Sequence, residues 1–450
     1  MSWPPSMDSL IGTENRMRTF WMFLYNMLFI PVFWASLRLL GLVNSKVRRG
    51  IRGRNGLFER LEGEIAKLQP GPRIWFHSSS MGEFEQAKPI IAALKERYPS
   101  VRIIVTFFSP SGYEHSRTYQ LADVITYIPF DSRRSARRFL DLVRPDLSVM
   151  VRYDIWPNHI WELHRRDIPV IIANATMSRH TMRRLPCIRS MHRTVYETIG
   201  TILAVAPSDV EAFRAFGLRG PHIEPIGDTR YDQVAVRSAG ARKRSIVPQQ
   251  VLEGKKVLVA GSSWPEDESI LLPSFLEIRR SVPDLLLILV PHEPTLEHIE
   301  DVERDLAGQA ESIRFSALNE YNGESVIIVD SIGILLVLYA CAHLAYVGGS
   351  FRQGIHNVLE AAVYGIPVLF GPRHRNSHEP LMLVERGGAF VVSTTEELTR
   401  TAMNLLQDES ARTTAGGRAS AFVQANLGAT QRILRFIEPH ITRIQDGKPQ

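Results

Sequence analysis

Cysteine is nearly absent: Cys187 and Cys341 are the only two in 450 residues. That excludes a disulfide framework and a cysteine-rich zinc site, and it fits a reducing compartment. No Asp-x-Asp pair occurs, and no close group of histidines and carboxylates has metal-ligand spacing, so no metal or other cofactor is expected. No segment of roughly 20–50 residues repeats, which argues against a solenoid. The chain also lacks the low apolar content of a disordered protein, since 44% of its residues are hydrophobic and 22% charged. Its length allows two or three domains with sizeable cores.

Charge is present but uneven. The formal net charge is +6, and the cations cluster. Lys46, Arg48, Arg49, Arg52 and Arg54 form one group, Arg133, Arg134, Arg137 and Arg138 a second, and Arg179, Arg183, Arg184, Arg189 and Arg193 a third. Such patches suit anionic lipid or nucleic acid, or are solvated helix faces. Just before the first cluster, "TFWMFLYNMLFIPVFWASL" (19–37) carries no charge. As a helix it spans about 28 Å, one hydrocarbon core. Trp21, Tyr25 and Trp34 are aromatics suited to an interface, and the basic residues that follow place the body on the cytoplasmic side. Asn26 and Pro31 weaken a straight span, so a tilted or shallow anchor stays open beside a spanning one.

Beyond the anchor, continuous apolar runs alternate with amphipathic stretches. Strands are expected at 73–77, 101–108, 124–128, 147–151, 169–174, 201–206 and 223–226, then at 255–263, 285–291, 324–330, 343–350, 367–371 and 389–394. Such runs joined by helical crossovers predict parallel sheets covered on both faces. The polar, basic stretch 235–254 reads as a linker. The expectation is an α/β chain: an anchor over 1–45, a Rossmann-like domain over 46–234, and a second over 255–450. The tail from Glu396 is expected to be helical, broken at Gly416-Gly417. Two doubly wound domains facing a cleft would bind ligands at the carboxyl ends of their strands.

Three strand ends in the second half carry glycine and hydroxyl groups before a helical pattern: Gly261-Ser262-Ser263, Ser331-Ile332-Gly333 and Gly348-Gly349-Ser350. Glycine lets a phosphate approach, and helix N-termini offer it backbone N–H groups. In "YVGGSFRQGIHNVLEAAVYGIPVLFGP" (346–372), Asn357 opens a helix with Glu360 one turn on, beside His356 and Arg352. The pair reads either as a capping box or as acceptors for a ribose diol. In the first half, "HSSSMGE" (77–83) puts Glu83 in a helix first turn at a strand end. An acid there complements the macrodipole, or serves as a general base for a hydroxyl. Arg152, Asp154, Trp156 and Asn158 of "VMVRYDIWPN" (149–158) come to the same sheet edge, and "IGDTRYD" (226–232) would bring Arg230 near the cleft.

With "FFSPSGYE", "IWPN", "IANATMS", "GDTRYD" and "GSSWPEDE", these stretches resemble the Kdo (3-deoxy-D-manno-octulosonic acid) transferases of lipopolysaccharide assembly, over nearly the whole chain. The resemblance implies a GT-B fold, a CMP-Kdo donor, and a lipid A precursor (lipid IVA) acceptor. It implies an inner-membrane location with anionic lipid as a partner, and no nucleic acid or metal. It makes Glu83 the base, and makes Pro291-His292, Ile332-Gly333-Ile334 and Asn357-Val358-Leu359-Glu360 the CMP-binding stretches, to which the glycine and hydroxyl strand ends add Ser262, Gly349 and Ser350. The chain departs from the family at Arg152-Tyr153-Asp154, commonly Glu-x-Glu; there the first glutamate is associated with transition-state stabilisation. It departs also at Arg230, commonly Lys, at Gly333-Ile334-Leu335, commonly Gly-Glu-Leu, and at His292-Glu293-Pro294, commonly Arg-His-Pro. Arg152, Asp154 and Arg230 join Glu83 as catalytic candidates. Two other classes stay open: a GT-B enzyme with a UDP donor or an epimerase of that architecture, and a membrane-tethered sugar-nucleotide binder whose site has decayed.

Overall fold

The computed structural model describes residues 7–177, 181, 183, 185–352, 354–375 and 377–446, with side chains from Arg16 onward. Arg179 and Arg184 of the third basic cluster, and Ser178 and Gln353 of the quoted motifs, lie outside the described residues. The first sheet contains β1 (Arg73–Ser78), β2 (Arg102–Phe107), β3 (Val124–Tyr127), β4 (Leu147–Val151), β5 (Val170–Ala175), β6 (Thr201–Ala204) and β7 (His222–Pro225). The second contains β8 (Lys256–Ser263), β9 (Leu285–Pro291), β10 (Ser312–Arg314), β11 (Val326–Ile328), β12 (Leu344–Val347), β13 (Val368–Phe370) and β14 (Ala389–Val391). All pairings are parallel, in the orders β3-β2-β1-β4-β5-β6-β7 and β10-β11-β9-β8-β12-β13-β14.

Strand residues alternate between the two faces. Trp75, Ile104, Met150 and Ile172 join the core on one side of the first sheet, and Ile74, Phe76, Val105 and Val149 join the core on the other. Both cores are helix-covered, which is why the strands read as unbroken apolar runs rather than alternating ones. In each sheet the chain winds outward from the first strand, then returns to its other side. The order therefore reverses between β1 and β4, and again between β8 and β12. Ligands of open parallel sheets bind outside the strand ends at such reversals.

Two compact units divide the chain: Met1–Gln233 with Gly428–Gln450, and Val234–Leu427. This corrects the expectation that everything after 255 belongs to the second domain. The last helix, Ala429–Gln445, lays Ile433, Leu434, Ile437 and Ile441 into the same core as Ile74, Phe84 and Ile90. Its start is fixed by Asp232, whose carboxylate accepts the Gly428 and Thr430 N–H groups at 2.6 Å each. A carboxylate at a helix N-terminus satisfies orphan donors and complements the dipole. The break falls at Gly428, with φ of +92°, and not at Gly416-Gly417. Those glycines lie inside the helix Glu409–Ala425, where a Cβ on Gly416 would meet the Gly365 carbonyl oxygen at 2.0 Å. Gly416 is there for close packing. The expected linker is largely helical as well, holding the end of Thr229–Ala241 and the turn Gln249–Leu252.

The N-terminal segment is a helix throughout: Met7–Leu24, a π-helical turn Tyr25–Phe29, then Ile30–Val43. It is long and apolar enough to cross a membrane, yet it is not detached. Tyr25 is buried and donates its O–H to Asp131 at 2.9 Å. The amides of Asn26 and Asn158 exchange bonds at 2.9 and 3.0 Å. Trp21 Nε1 donates to Ser190 Oγ at 3.0 Å. Trp21 and Tyr25 thus face protein, while Phe20, Phe23, Met27, Leu28, Val32 and Leu39 are exposed. The π turn keeps the docked stripe aligned, because its five-residue step (Ile30 N–H to the Tyr25 carbonyl) returns Ile30 to the side of Tyr25.

Ile437→Ala is expected to lower the unfolding free energy by about 2–5 kcal/mol, the range for emptying a buried aliphatic site. Hydrogen exchange checks the helix's placement: protection should fall in β1 and β2 and hold in β8 and β9.

Candidate active site

The first reversal point carries the groups expected of it. After β1 the chain bends at Ser79-Ser80, and Ser80 caps the helix Met81–Arg97 by accepting the Glu83 N–H. Glu83 does not point into solvent. Its carboxylate folds back to accept the Ser79 N–H at 2.5 Å, and the residue is 5% exposed. The bond resembles a capping-box return, so geometry alone is compatible with the macrodipole reading. What exceeds that reading is the surroundings. A Cβ on Gly82 would meet nothing within 4 Å, which leaves open space over the turn.

β4 delivers the second set. Arg152 takes the left-handed conformation, φ of +65°, with its N–H on the Ala173 carbonyl at 2.8 Å. A non-glycine residue there is strained, and such strain concentrates at functional sites. Its Nε, like the Ser78 hydroxyl, is buried without a hydrogen-bond partner among the described residues. Asp154 Oδ2 lies 3.0 Å from His77 Nε2, and His77 Nδ1 lies 2.9 Å from the Thr106 hydroxyl. Thr106 in turn accepts the Trp75 indole N–H at 2.8 Å. A carboxylate only accepts, so Nε2 presents its N–H to Asp154. The Trp156 indole N–H closes the same corner, 3.1 Å from His77 Nε2 and bonded to Asp154.

The two carboxyls are pushed apart. Burial, then the charge of Asp154, raises the Glu83 carboxyl above its ordinary range, and the Ser79 N–H, His77 and Arg152 offset only part of that. Burial also acts upward on Asp154, but bonds from His77, Ser79 and Trp156 hold it below its ordinary range. One carboxyl poised to take a proton beside one that stays ionised is a common acid–base arrangement. Arg230 reaches this edge through Thr229, whose hydroxyl donates to the Gln86 carbonyl at 2.7 Å. Its guanidinium lies on Asp228, Nε to Oδ2 at 2.8 Å. Asn158, expected at the site, turns instead to Asn26 and Asp131.

In the second unit, the loops after β8, β9, β11 and β12 converge at the other reversal point. Gly348 passes so close that a Cβ would meet the Ser262 carbonyl oxygen at 2.3 Å, and Ser262 itself has φ of +55°. Pro291 ends β9, and the His292 N–H bonds the Ser263 carbonyl at 2.9 Å. Ile332 is exposed, and Gly333 turns with φ of +85° into Ile334 and the short helix Leu335–Leu338. Gly349 donates its N–H to Asp267 at 2.8 Å. Ser350 is turned inward, its hydroxyl on the Gly371 N–H at 2.7 Å. The Val358 and Leu359 side chains are buried as well, which leaves only their main chain for a ligand. Asn357 Oδ1 accepts the Leu359 N–H at 3.1 Å, and Glu360 reaches Arg237 at 3.3 Å.

A feature missed from sequence lies beside these groups. Trp264, His292 and His356 stack, with His292 and His356 ring centroids 4.3 Å apart and Trp264 Nε1 donating to His356 Nε2 at 3.0 Å. Arg352 covers the Trp264 ring at 4.3 Å. The sequence placed His356 beside Arg352 and His292 after Pro291, but gave no sign that they stack with the Trp264 of "SSWP" just after β8.

Single-charge substitutions should move the Glu83 carboxyl in opposite directions. Asp154→Asn lowers its pKa and Arg152→Gln raises it, each read from the pH titration of the Glu83 carboxyl carbon by NMR.

Known proteins supply an independent comparison. A family model described as 3-Deoxy-D-manno-octulosonic-acid transferase (kdotransferase) matches residues 50–233. The 3-deoxy-D-manno-octulosonic acid transferase of Haemophilus influenzae is 29% identical over 432 residues, 94% of this chain and 99% of that one. The Aquifex aeolicus transferase is 30% identical over 337 residues, 74% of this chain and 86% of its own length. The solved UDP-GlcNAc 2-epimerase of Methanocaldococcus jannaschii superposes with a TM-score of 0.53 at 16% identity, over 82% of this chain and 99% of that one, a likeness of fold alone. A likeness over almost the whole length of such transferases, with the motif-bearing strand ends gathered at two sheet reversals, leads to one conclusion: the chain belongs to the Kdo transferase family, glycosyltransferases with two parallel-sheet domains of GT-B type.

Proposed function

We propose that this Kdo transferase moves Kdo from CMP-Kdo to a hydroxyl of a lipid A precursor, lipid IVA, with Glu83 as general base. The observation that carries the reading is the Glu83 carboxyl, buried at the reversal point under open space, with its pKa raised above the ordinary carboxylate range by burial. Glu83 takes the proton from the acceptor hydroxyl as that oxygen bonds to the anomeric carbon of Kdo. The bond from that carbon to the phosphate oxygen breaks, and CMP leaves with the electron pair. Arg152, with its unpartnered buried Nε, faces the Kdo carboxylate or the leaving phosphate, where a cation stabilises growing negative charge. Asp154 stays ionised and, through His77 and Trp156, holds the loop that carries Arg152. Main-chain donors at Ser262 and Gly333 suit the CMP phosphate, and Glu360 suits the ribose diol. No divalent metal is invoked.

The acceptor is a membrane lipid, and the N-terminal helix accords with that. One side is bonded to Asp131, Asn158 and Ser190 while the other exposes Phe20, Phe23, Met27 and Val32. A helix so held lies in the interface rather than crossing the bilayer. The cations Lys46, Arg49 and Arg52 that follow are exposed and favour the anionic cytoplasmic leaflet of the inner membrane.

Glu83→Gln keeps size and hydrogen bonding but cannot take the proton. Transfer to lipid IVA, followed by mass spectrometry, is expected to fall about 10²–10⁴-fold while folding and CMP binding persist. The macrodipole reading instead predicts a loss of at most about 1 kcal/mol of stability and near-normal turnover, so a melt and a rate on one sample separate the two. Activity in the wild type should decline as pH falls through the raised Glu83 value and should persist in excess chelator. Glu360→Ala is expected to weaken CMP binding by about 1.5–3 kcal/mol; unchanged affinity by calorimetry removes Glu360 from the donor site.

A further inference from the structure

At the amino edge of the first sheet, away from Glu83, a cavity of ≈ 350 Å³ opens beside Met17 and Arg18 of the N-terminal helix. Arg18, His164, Arg193, Glu197 and Arg219 line it. Thr198 and Gly220, which also line it, sit just before β6 and β7, so the cavity is at the end of the sheet opposite the candidate catalytic groups. Among the described side chains, Arg18, Arg193 and Arg219 line the cavity with Glu197, whose carboxylate lies 3.7 Å from Arg193 Nε and accepts the Arg219 and Gly220 N–H groups at 3.1 and 2.9 Å. His164 is pushed below its ordinary range by burial first and then by the neighbouring Arg18, while Asp167 acts in the opposite direction.

From the charge and the neighbouring surface, we infer that this cavity takes the phosphate of an anionic membrane phospholipid. Arg18 lies within the turn that begins the exposed apolar face at Phe20 and Phe23. A phosphate seated among the arginines would have acyl chains running along that face, toward Met27. A soluble phosphate compound would use the arginines but have no use for the adjoining aromatic surface. The inference rests on the interfacial reading of the helix above and adds to it a discrete headgroup site, separate from the diffuse attraction of Lys46, Arg49 and Arg52. Through it, lipid would fix the rotation of the protein on the bilayer as well as its attachment.

The test compares the full chain with Arg18→Gln/Arg219→Gln in sedimentation with three kinds of vesicle: phosphatidylcholine alone, phosphatidylcholine with phosphatidylglycerol, and phosphatidylcholine with oleate at matched surface charge. The expected result is a loss of about fivefold per arginine removed on phosphatidylglycerol vesicles, with little change on oleate or neutral vesicles. Lys46→Gln/Arg49→Gln should lose equally on both anionic kinds. Equal loss on oleate and phosphatidylglycerol overturns the headgroup site in favour of diffuse attraction. Stabilisation by glycerol 1-phosphate in a thermal melt, with vesicle binding unaffected by the arginine substitutions, overturns the lipid assignment in favour of a soluble phosphate. A wild type that ignores all vesicles sinks the membrane reading and this site together. Because no arm measures Kdo transfer, selective headgroup binding in a chain that transfers no Kdo would retain this inference and reject the proposed reaction.

Discussion

The carboxylate of Asp131 is the constraint on which the first unit's working edge depends. It is fully buried and lies just beyond β3, where an unpaired charge would cost several kcal/mol. Four donors surround it: the Tyr25 hydroxyl at 2.9 Å, the Asn158 and His159 N–H groups at 3.0 and 3.1 Å, and His159 Nδ1 at 2.6 Å. Two of these are the orphan N–H groups of the helix Pro157–Arg165, which Trp156, its own N-cap residue, cannot satisfy. One buried charge therefore pins the start of that helix, and with it the preceding loop that holds Arg152, Asp154 and Trp156. The same charge pins the N-terminal helix through Tyr25. That helix and the Arg152 loop meet at a single residue.

Around Glu83 the balance is electrostatic. Asp154 raises it and Arg152 lowers it, so the residue at 152 helps to set how readily the Glu83 carboxyl ionises. A glutamate there, as the family commonly has, would add a second like charge beside Glu83 and push its carboxyl higher still. The cation in this chain pulls the other way. It also supplies a guanidinium, a group suited to carboxylate and phosphate alike.

The parallel strands were readable because burial on both faces leaves a run of apolar residues with nothing to interrupt it. β10 escaped because it is a three-residue strand, "SIR", at the sheet edge, with no apolar run to mark it. The grouping of Glu83, His77, Arg152 and Asp154 could be foreseen, since each stands at the end of a strand and sheet order brings those ends together. Asp131 could not, because its partners Tyr25 and Asn158 lie 106 and 27 residues away and share no spacing that local periodicity detects. The same holds for Asp232, which caps a helix 196 residues later. Capping signals are sought within a few residues of the helix they serve, so a cap supplied from across the chain is invisible until the fold is known. The glycine pair at 416 shows the converse: Gly was read as a break when its purpose was contact with the Gly365 loop.

The π-helical turn at Tyr25–Phe29 makes the length of the N-terminal helix a constrained quantity, even where its composition is loose. Many apolar residues would serve at Phe23, Met27 or Val32, which touch no named partner. Losing one residue between Tyr25 and Ile30 is different. It would restore ordinary α-helical winding and rotate everything downstream by about 100°. Phe33 would swing away from Trp156, with which its ring is now 6.2 Å centroid to centroid, and the exposed apolar band would wind around the helix instead of lying along one side. Across a set of related chains, this segment should therefore drift in sequence while keeping its residue count between the Asp131 contact and the basic helix Ser45–Gly53. The spacing is what ties the exposed apolar band to the strand ends, and it survives any substitution that leaves the five-residue step intact.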